Sequence, residues 1–438
     1  MDIKPFCGWR YAGTREMGVR LAPPYDVLTA ANKQSLLAGS EYNIVAVDLP
    51  HVPPKEVGPD EAYRAAAERL SQWQAGGVLR QDKPALYVYQ QEFELGARRF
   101  RRVSLLCGVR ATPLGQDVIP HEHTFAGPKA DRLKLTEYTR MQLSPIFGFY
   151  NDDGAVPAML AEISQRPADF HARLDAPGQY SAIDETLWVV DDPAAIDRIR
   201  LALTKTPVFI ADGHHRYTTA LNYRDQLRAA GKIDDDHEAN FVLFALVHRD
   251  DPGMIILPTH RVVSGLAEGF DVCKLIAAAP EFAWKRARLD SLDTRDIDAS
   301  LRPHGPSAMA VLGPEDVAEN SCWIATLRDA RSMADAAPDQ LPAWRSLNVA
   351  ILHTLLLDRD LAPWRTADTA IDYTPDAATV LAACKGEGTQ GGGMFGVCLQ
   401  STPLPAVEEI ALAGANMPHK STYFYPKLTT GVVLKPLE

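Results

Sequence analysis

Val208-Phe209-Ile210-Ala211-Asp212-Gly213-His214-His215-Arg216-Tyr217-Thr218-Thr219-Ala220-Leu221 opens as a β-branched and aromatic run, breaks at Asp-Gly, and continues with helical spacing. The pattern predicts a strand, a tight turn at Asp212-Gly213, and a helix running to about Ala229, ended by Gly231. At such a joint the free N–H groups and the positive dipole end of the helix face the turn, where an anion such as a phosphate is stabilised. The polar residues gather at that spot. Asp212 can hold a metal ion or accept a proton, and Gly213 lets a ligand approach the backbone. His214, His215 and Arg216 add donors and at least one fixed positive charge. A plain Asp-Gly turn followed by solvated histidines is the alternative.

The rest of the chain sets the bounds for that site. With 438 residues, 46% of them hydrophobic, the chain is long enough for two or three domains with real cores. The formal net charge is −11. This charge argues against nucleic acid as a partner, because a dedicated binder carries a basic footprint. Any anion must be caught by local design. The six cysteines show no CxxC spacing, and most sit in apolar segments such as Leu105-Leu106-Cys107. They read as free, buried thiols of a reducing compartment. No uncharged apolar run approaches the length of a membrane span, and the first ten residues lack a signal-peptide core. The expectation is a cytoplasmic protein without a membrane partner.

A second polar island is Pro120-His121-Glu122-His123-Thr124-Phe125-Ala126-Gly127-Pro128-Lys129-Ala130-Asp131-Arg132. Its composition predicts a ligand loop, with Gly127-Pro128 preventing a regular helix before Lys129 and a helix over 130–143. The His121-x-His123 spacing lacks the i, i+4 geometry of a zinc-protease pair. A carboxylate between histidines, followed by Lys129 and Arg132, fits phosphoryl chemistry better. Cations offset charge on a transferred group while an acid deprotonates a hydroxyl or binds magnesium. Local capping or salt bridging of Glu122 is the alternative.

Smaller islands complete the set. Pro23-Pro24 presents Tyr25 and Asp26 from a rigid turn, where Asp26 either caps the next helix or supports the site. His260 and Arg261 stand after an expected hairpin over 241–257, at a strand end where sites are often built. The tail Asn416-Met417-Pro418-His419-Lys420-Ser421-Thr422-Tyr423-Phe424-Tyr425-Pro426-Lys427 offers Lys420, Ser421 and Tyr423 as further candidates. Arg98, Arg99, Arg101 and Arg102 read as a solvated strand face on a hairpin of 85–94 and 98–110. The glycine-rich loop 388–393 lacks the lysine and following helix of a phosphate loop. The fold class implied is α+β, mixed sheets with packed helices. Three regions are expected: 1–110, an N-terminal α/β region; 111–265, the core with both motifs; and 266–438, a C-terminal α/β region whose tail returns to the site.

Taken in order, Pro24-Tyr25-Asp26-Val27, His121-Glu122 with Lys129 and Asp131-Arg132, Asp212 to Arg216, Leu257-Pro258-Thr259-His260-Arg261 and Met417-Pro418 to Phe424 resemble a bacterial and archaeal family known as domain of unknown function 1015. The resemblance runs over essentially the full chain. Locally, Asp-Gly-His-His-Arg after an apolar strand is similar to the nucleotide-binding element of the partition-protein-B (ParB) and sulfiredoxin superfamily, in which free-serine kinases carry the same string. That resemblance implies a ParB/sulfiredoxin-like nucleotide-binding core inside a larger chain. It implies Asp212 as a catalytic or magnesium-linked acid, with His215 also placed in the catalytic set. Gly213, His214, His215 and Arg216 would hold the phosphates of ATP or ADP, and the chemistry of the other islands adds His121, His123, Thr124, Lys129, Arg132 and Lys420 as candidates for the same task. Glu122 would be the base, although here it precedes Asp212 by about ninety residues. Tyr25, Asp26, Asp131, His260, Arg261, Ser421 and Tyr423 would line the substrate or support the site.

The leading expectation is a nucleotide-dependent kinase of a small hydroxyl compound such as free L-serine, work that is mostly positioning and electrostatics. Two other classes use the same anion pocket. One is a nucleotide-hydrolysing binding switch of the ParB type, and the other is a phosphatase or hydrolase of a small phosphorylated metabolite. The oligomeric state is left open by the sequence.

Overall fold

The computed structural model describes residues 1–13, 17–52, 56–124, 126–175, 181–386 and 393–438. Phe125 and residues 388–392 of the glycine-rich loop lie outside the described residues. The chain forms two compact units, one of Met1–Ile255 with Pro426–Glu438 and one of Ile256–Tyr425.

The first unit is built on a mixed sheet of nine described strands. In chain order they are β1 (Ile3–Lys4), β2 (Leu86–Leu95), β3 (Arg98–Arg110), β4 (Val118–Ile119), β5 (Ile146–Tyr150), β6 (Phe170–Leu174), β7 (Ile183–Val190), β8 (Val208–Asp212) and β9 (Phe241–His248). The spatial order is β4-β8-β5-β9-β3-β2-β7-β6, with β1 also on β3. The pairs β8 with β4 and β9 with β5 are parallel, and the others antiparallel. The hairpin expected around residue 96 is present, since Leu95 pairs with Arg98 across Gly96-Ala97. Strand β3 holds the sheet together because it is long. Arg98–Leu106 pair with β2 and Gly108–Val109 with β1, while Ser104–Arg110 pair with β9 on the other side.

Strand alternation sends the two faces of this sheet to different tasks. Leu86 and Val88, Leu105 and Cys107, Val208 and Ile210, and Phe244 and Leu246 share one core with Leu160 of helix Ala155–Ile163, Ile196 and Ile199 of helix Pro193–Leu203, and Tyr217 and Ala220 of helix His214–Ala229. The intervening residues Tyr89, Gln91, Arg102, Ser104 and Glu185 point the other way and are buried as well. There they meet the C-terminal segment. The Arg102 guanidinium donates to the Pro426 carbonyl at 2.6 Å and to the Gln91 side-chain oxygen, and Thr429 donates its hydroxyl to Glu185. Tyr89 donates to the other Glu185 oxygen and Gln91 to the first, at 3.3 Å. Burial pushes the Glu185 carboxyl up to about 7, against the hydrogen bonds it accepts. Thr430 and Ala22 then exchange backbone hydrogen bonds, which fixes the segment a second time.

The second unit is built on a sheet of six described strands, all antiparallel, in the order Phe282–Arg288, Ser321–Leu327, Met309–Leu312, Gly393–Cys398, His260–Leu266 and Ala370–Thr374. Its core joins Val262, Leu312, Ile324 and Cys398 to Val380 and Cys384 of helix Ala377–Cys384. The six cysteines are unbridged, and four of them are buried.

Several sequence expectations are corrected here. The boundaries expected at 110 and 265 fall at the last residue of β3 and inside strand His260–Leu266, because pairing of β3 with β9 binds the first two regions into one sheet. The hairpin over 241–257 is absent, since β9 is flanked by β3 and β5. The helix expected from 130 starts earlier, at Ala126, and ends at Thr139. A proline in the first turn is compatible with this start, because the N–H it lacks has no acceptor there in any helix. Arg102, expected on a solvated face, is 1% exposed and lies 4.5 Å over the Phe147 ring.

Candidate active site

The joint predicted around Gly213 is present. Strand β8 ends at Asp212, Gly213 takes φ +100°, and a 16-residue helix starts at His214. That left-handed conformation favours glycine. One helical turn on, Arg216 folds back so that Nη2 meets Asp212 Oδ2 at 2.9 Å, while its Nη1 donates to the Pro145 carbonyl. The other Asp212 oxygen, Oδ1, receives the ammonium of Lys427. Arg216, Lys427 and Asp212 are all largely buried.

The Glu122 island reaches the same joint for a reason of sheet register. Strand β4 runs parallel to β8 with Ile119 opposite Phe209, so the residues following each strand leave at the same end. His121 N–H donates to His214 Nε2 at 3.3 Å, and the two rings meet edge to face with centroids 4.6 Å apart. Because His214 Nε2 accepts, its proton sits on Nδ1, which lies 3.9 Å from Glu122 Oε2. Burial lowers the pKa of His121 to about 4. It also lowers that of His214 well below the ordinary value, with His121 as the next cause. Both rings are therefore neutral at pH 7.

A third contribution comes from helix Ala126–Thr139, which packs on helix His214–Ala229. Thr219 Oγ1 there contacts the Lys129 carbonyl at 3.5 Å. Asp131 is fully buried and accepts from Tyr63 OH at 2.7 Å, His51 Nε2 at 2.8 Å and Arg132 Nε at 2.8 Å. Burial pushes its carboxyl up, but the Arg132 charge and these hydrogen bonds hold it below the usual range. Arg132 also donates to the Asp48 carbonyl at 2.6 Å, and its guanidinium lies 4.1 Å over the Tyr25 ring. Asp26 Oδ1, next in the chain, is buried with no hydrogen-bond partner among the described residues. Arg132 and Arg216 line one small pocket of about 60 Å³ together with Asp48, Thr136, Ser144 and Thr219. Asp212, Gly213, His214, Arg216, His121, Glu122, Asp131, Arg132 and Tyr25 thus belong to one contiguous region of the first unit. His215, Thr124 and Lys129 are partly exposed on the same segments, and His123 is exposed.

Sequence reasoning missed Lys427 and Asp48. Lys427 carried one signal, a lone lysine in the otherwise burial-prone stretch Phe424-Tyr425-Pro426-Lys427-Leu428. The remaining candidates belong to the second unit. There Arg261, 0% exposed, donates to the carbonyls of Thr259, His419 (3.3 Å) and Lys420 (3.0 Å) and to His353 Nε2 at 3.2 Å. It acts as a backbone clamp on the loop holding Ser421, whose hydroxyl donates to the Pro418 carbonyl. His260 Nδ1 accepts from Leu399 N–H, Lys420 is exposed with φ +56°, and Tyr423 lies in strand Tyr423–Tyr425.

The magnesium expected on Asp212 does not fit these surroundings. Both carboxylate oxygens are ion-paired, one to each of two cations, so a divalent ion would have to displace one of them. Among the described residues no group of three His, Cys, Asp or Glu side chains could hold a metal ion.

A family described as a protein of unknown function, DUF1015, matches residues 3–350. The chain belongs to this family. No curated protein matches it in sequence. Among solved structures, a mutant free serine kinase in complex with AMP is 10% identical, covering 75% of this chain and 91% of its own, with a TM-score of 0.35. A conserved hypothetical protein from Pyrococcus furiosus is 12% identical over 76% of this chain and 95% of its own, with a TM-score of 0.33. SbnI with a C-terminal truncation, from Staphylococcus aureus, is 10% identical over 76% and 87%, with a TM-score of 0.34. At these scores none of them assigns a site residue to this member of the family. Among the described residues no helix is long and apolar enough to cross a membrane.

Proposed function

We propose that this protein is a nucleotide-dependent phosphotransferase acting on a small hydroxyl compound, with free L-serine as the first acceptor to test and ATP or ADP as donor. The observation that carries this reading is the meeting of the two polar islands, with Glu122 3.9 Å from His214 at the start of the helix that Gly213 introduces. A helix N-terminus with Arg216, Lys427 and Arg132 close by supplies donors and positive charge for phosphates. Neutral His121 and His214 add hydrogen bonding without adding charge. Glu122, less deeply buried than Asp131, is the carboxylate placed to take a proton. In the reaction the acceptor oxygen bonds to the terminal phosphorus as the bridging P–O bond breaks. Glu122 takes the hydroxyl proton, and the departing nucleotide keeps the electron pair beside the cations. The Asp-Gly-His-His-Arg string shared with free-serine kinases supports the same assignment.

The test is nucleotide consumption by purified protein against a panel of small hydroxyl compounds. Consumption that depends on the acceptor is expected, and Glu122→Gln should lower it about 100-fold or more while nucleotide affinity stays within a few fold. Acceptor-independent hydrolysis, release of phosphate from phosphoserine without nucleotide, or an active Glu122→Gln variant would each defeat the proposal.

A further inference from the structure

We infer that Asp212 is a positioning residue that holds Lys427 and Arg216 side by side as a cationic pair for the nucleotide phosphates, and that Lys427, carried in by the C-terminal segment, is itself a phosphate-binding residue. This rests on the reading that nucleotide phosphates bind at the β8 joint.

One carboxylate faces two cations, Lys427 Nζ on Oδ1 and Arg216 Nη2 on Oδ2, at the mouth of a helix N-terminus. A buried ammonium is costly unless it is paired, so Asp212 is what allows Lys427 to sit 7% exposed at this place. The backbone bearing Lys427 is fixed on both sides. Arg102 holds the Pro426 carbonyl, Thr429 donates to buried Glu185, and Thr430 pairs with Ala22. Such anchoring aims the lysine before any ligand arrives, which lowers the ordering cost of binding. Arg216 is aimed in the same way, by Asp212 on one nitrogen and the Pro145 carbonyl on the other. Its guanidinium lies against Gly213, where a Cβ would come within 3.0 Å of Nη2. Gly213 therefore makes room for the cation as well as for the turn. A divalent ion on Asp212 would compete with Lys427 on Oδ1 or with Arg216 on Oδ2, and so would break up the cationic pair.

The test is calorimetric titration of the full-length protein with ADP, once in EDTA and once with magnesium. The expected result is binding in EDTA that weakens about tenfold or more in both Lys427→Met and Asp212→Asn and largely recovers in Lys427→Arg. The direction for Asp212→Asn separates the roles. Removing a negative charge beside a bare anion strengthens binding through charge alone, so weakening requires that the two cations lose their aim or that Lys427, left unpaired, gives up its charge, and either follows from Asp212 holding the pair. Thermal unfolding of each variant checks the fold, and if Asp212→Asn does not fold, the Lys427 pair of variants decides alone. Tighter or unchanged ADP binding by Asp212→Asn in EDTA, unchanged binding by Lys427→Met, or binding by the wild type only with magnesium overturns this inference and leaves the proposed function standing. No ADP binding under either condition removes both.

Discussion

Glu185→Gln should flatten the dependence of stability on pH between about 4.5 and 7, the interval over which the buried carboxyl is displaced from its ordinary value. The carboxylate is fully buried, and its hydrogen bonds from Thr429, Tyr89 and Gln91 only partly offset the loss of water. An acid whose pKa is raised on folding binds its proton more tightly in the native state. Below pH 4.5 both states hold the proton and the full stability is present. As pH rises, the unfolded chain releases the proton first, and stability is lost until the native carboxyl titrates near 7. A displacement of about 2.5 pH units at about 1.36 kcal/mol each gives a loss of roughly 3 kcal/mol. For a folding unit of this size that is about 6 °C in Tm, at roughly 2 °C per kcal/mol. Thermal unfolding from pH 4.5 to 8, read on the transition of the first unit, should show the decline in the wild type and a smaller one in Glu185→Gln. Other buried acids such as Asp48 contribute to both proteins alike, so the difference isolates Glu185. Parallel curves for the two proteins would refute the reasoning.

Two further substitutions probe the joint and its support. Gly213→Ala forces a left-handed residue and presses on the Arg216 guanidinium. It should cost about 1–3 kcal/mol in chemical denaturation and weaken ADP binding; unchanged affinity would show that Arg216 does not reach the nucleotide. Asp131→Asn leaves Arg132 buried with the nearer of its two carboxylate partners neutralised. A loss of about 3 kcal/mol or more is expected in urea unfolding, and a loss under 1 kcal/mol would mean that the Asp48 and Tyr25 contacts suffice.

Much of the local order was legible in the sequence. The apolar run 208–211, the Asp-Gly break and the helical spacing after it depend on chain neighbours alone, and strand, turn and helix lie where they imply. The hairpin around Gly96 and the unbridged cysteines follow from equally local chemistry. The polar composition of 121–132 marked a candidate segment without saying what it would touch. That was set by the parallel pairing of Val118–Ile119 with Val208–Phe209, a contact between strands some ninety residues apart.

Which charges become partners was settled by the path of the chain in three dimensions. Sequence reasoning named Lys420 as a candidate and passed over Lys427, seven residues on, whose pairing with Asp212 depends on where the tail re-enters the sheet. Lys427 meets Asp212 across 215 residues of chain, and Arg102 catches Pro426 across 324. Residue type and spacing carry no record of such distances. An aspartate after a strand reads equally well as a metal ligand, a base or an anchor, and the difference lies in its neighbours. Here two cations occupy its two oxygens, a pairing that offsets the cost of burying each charge and that only the return of the C-terminal segment supplies.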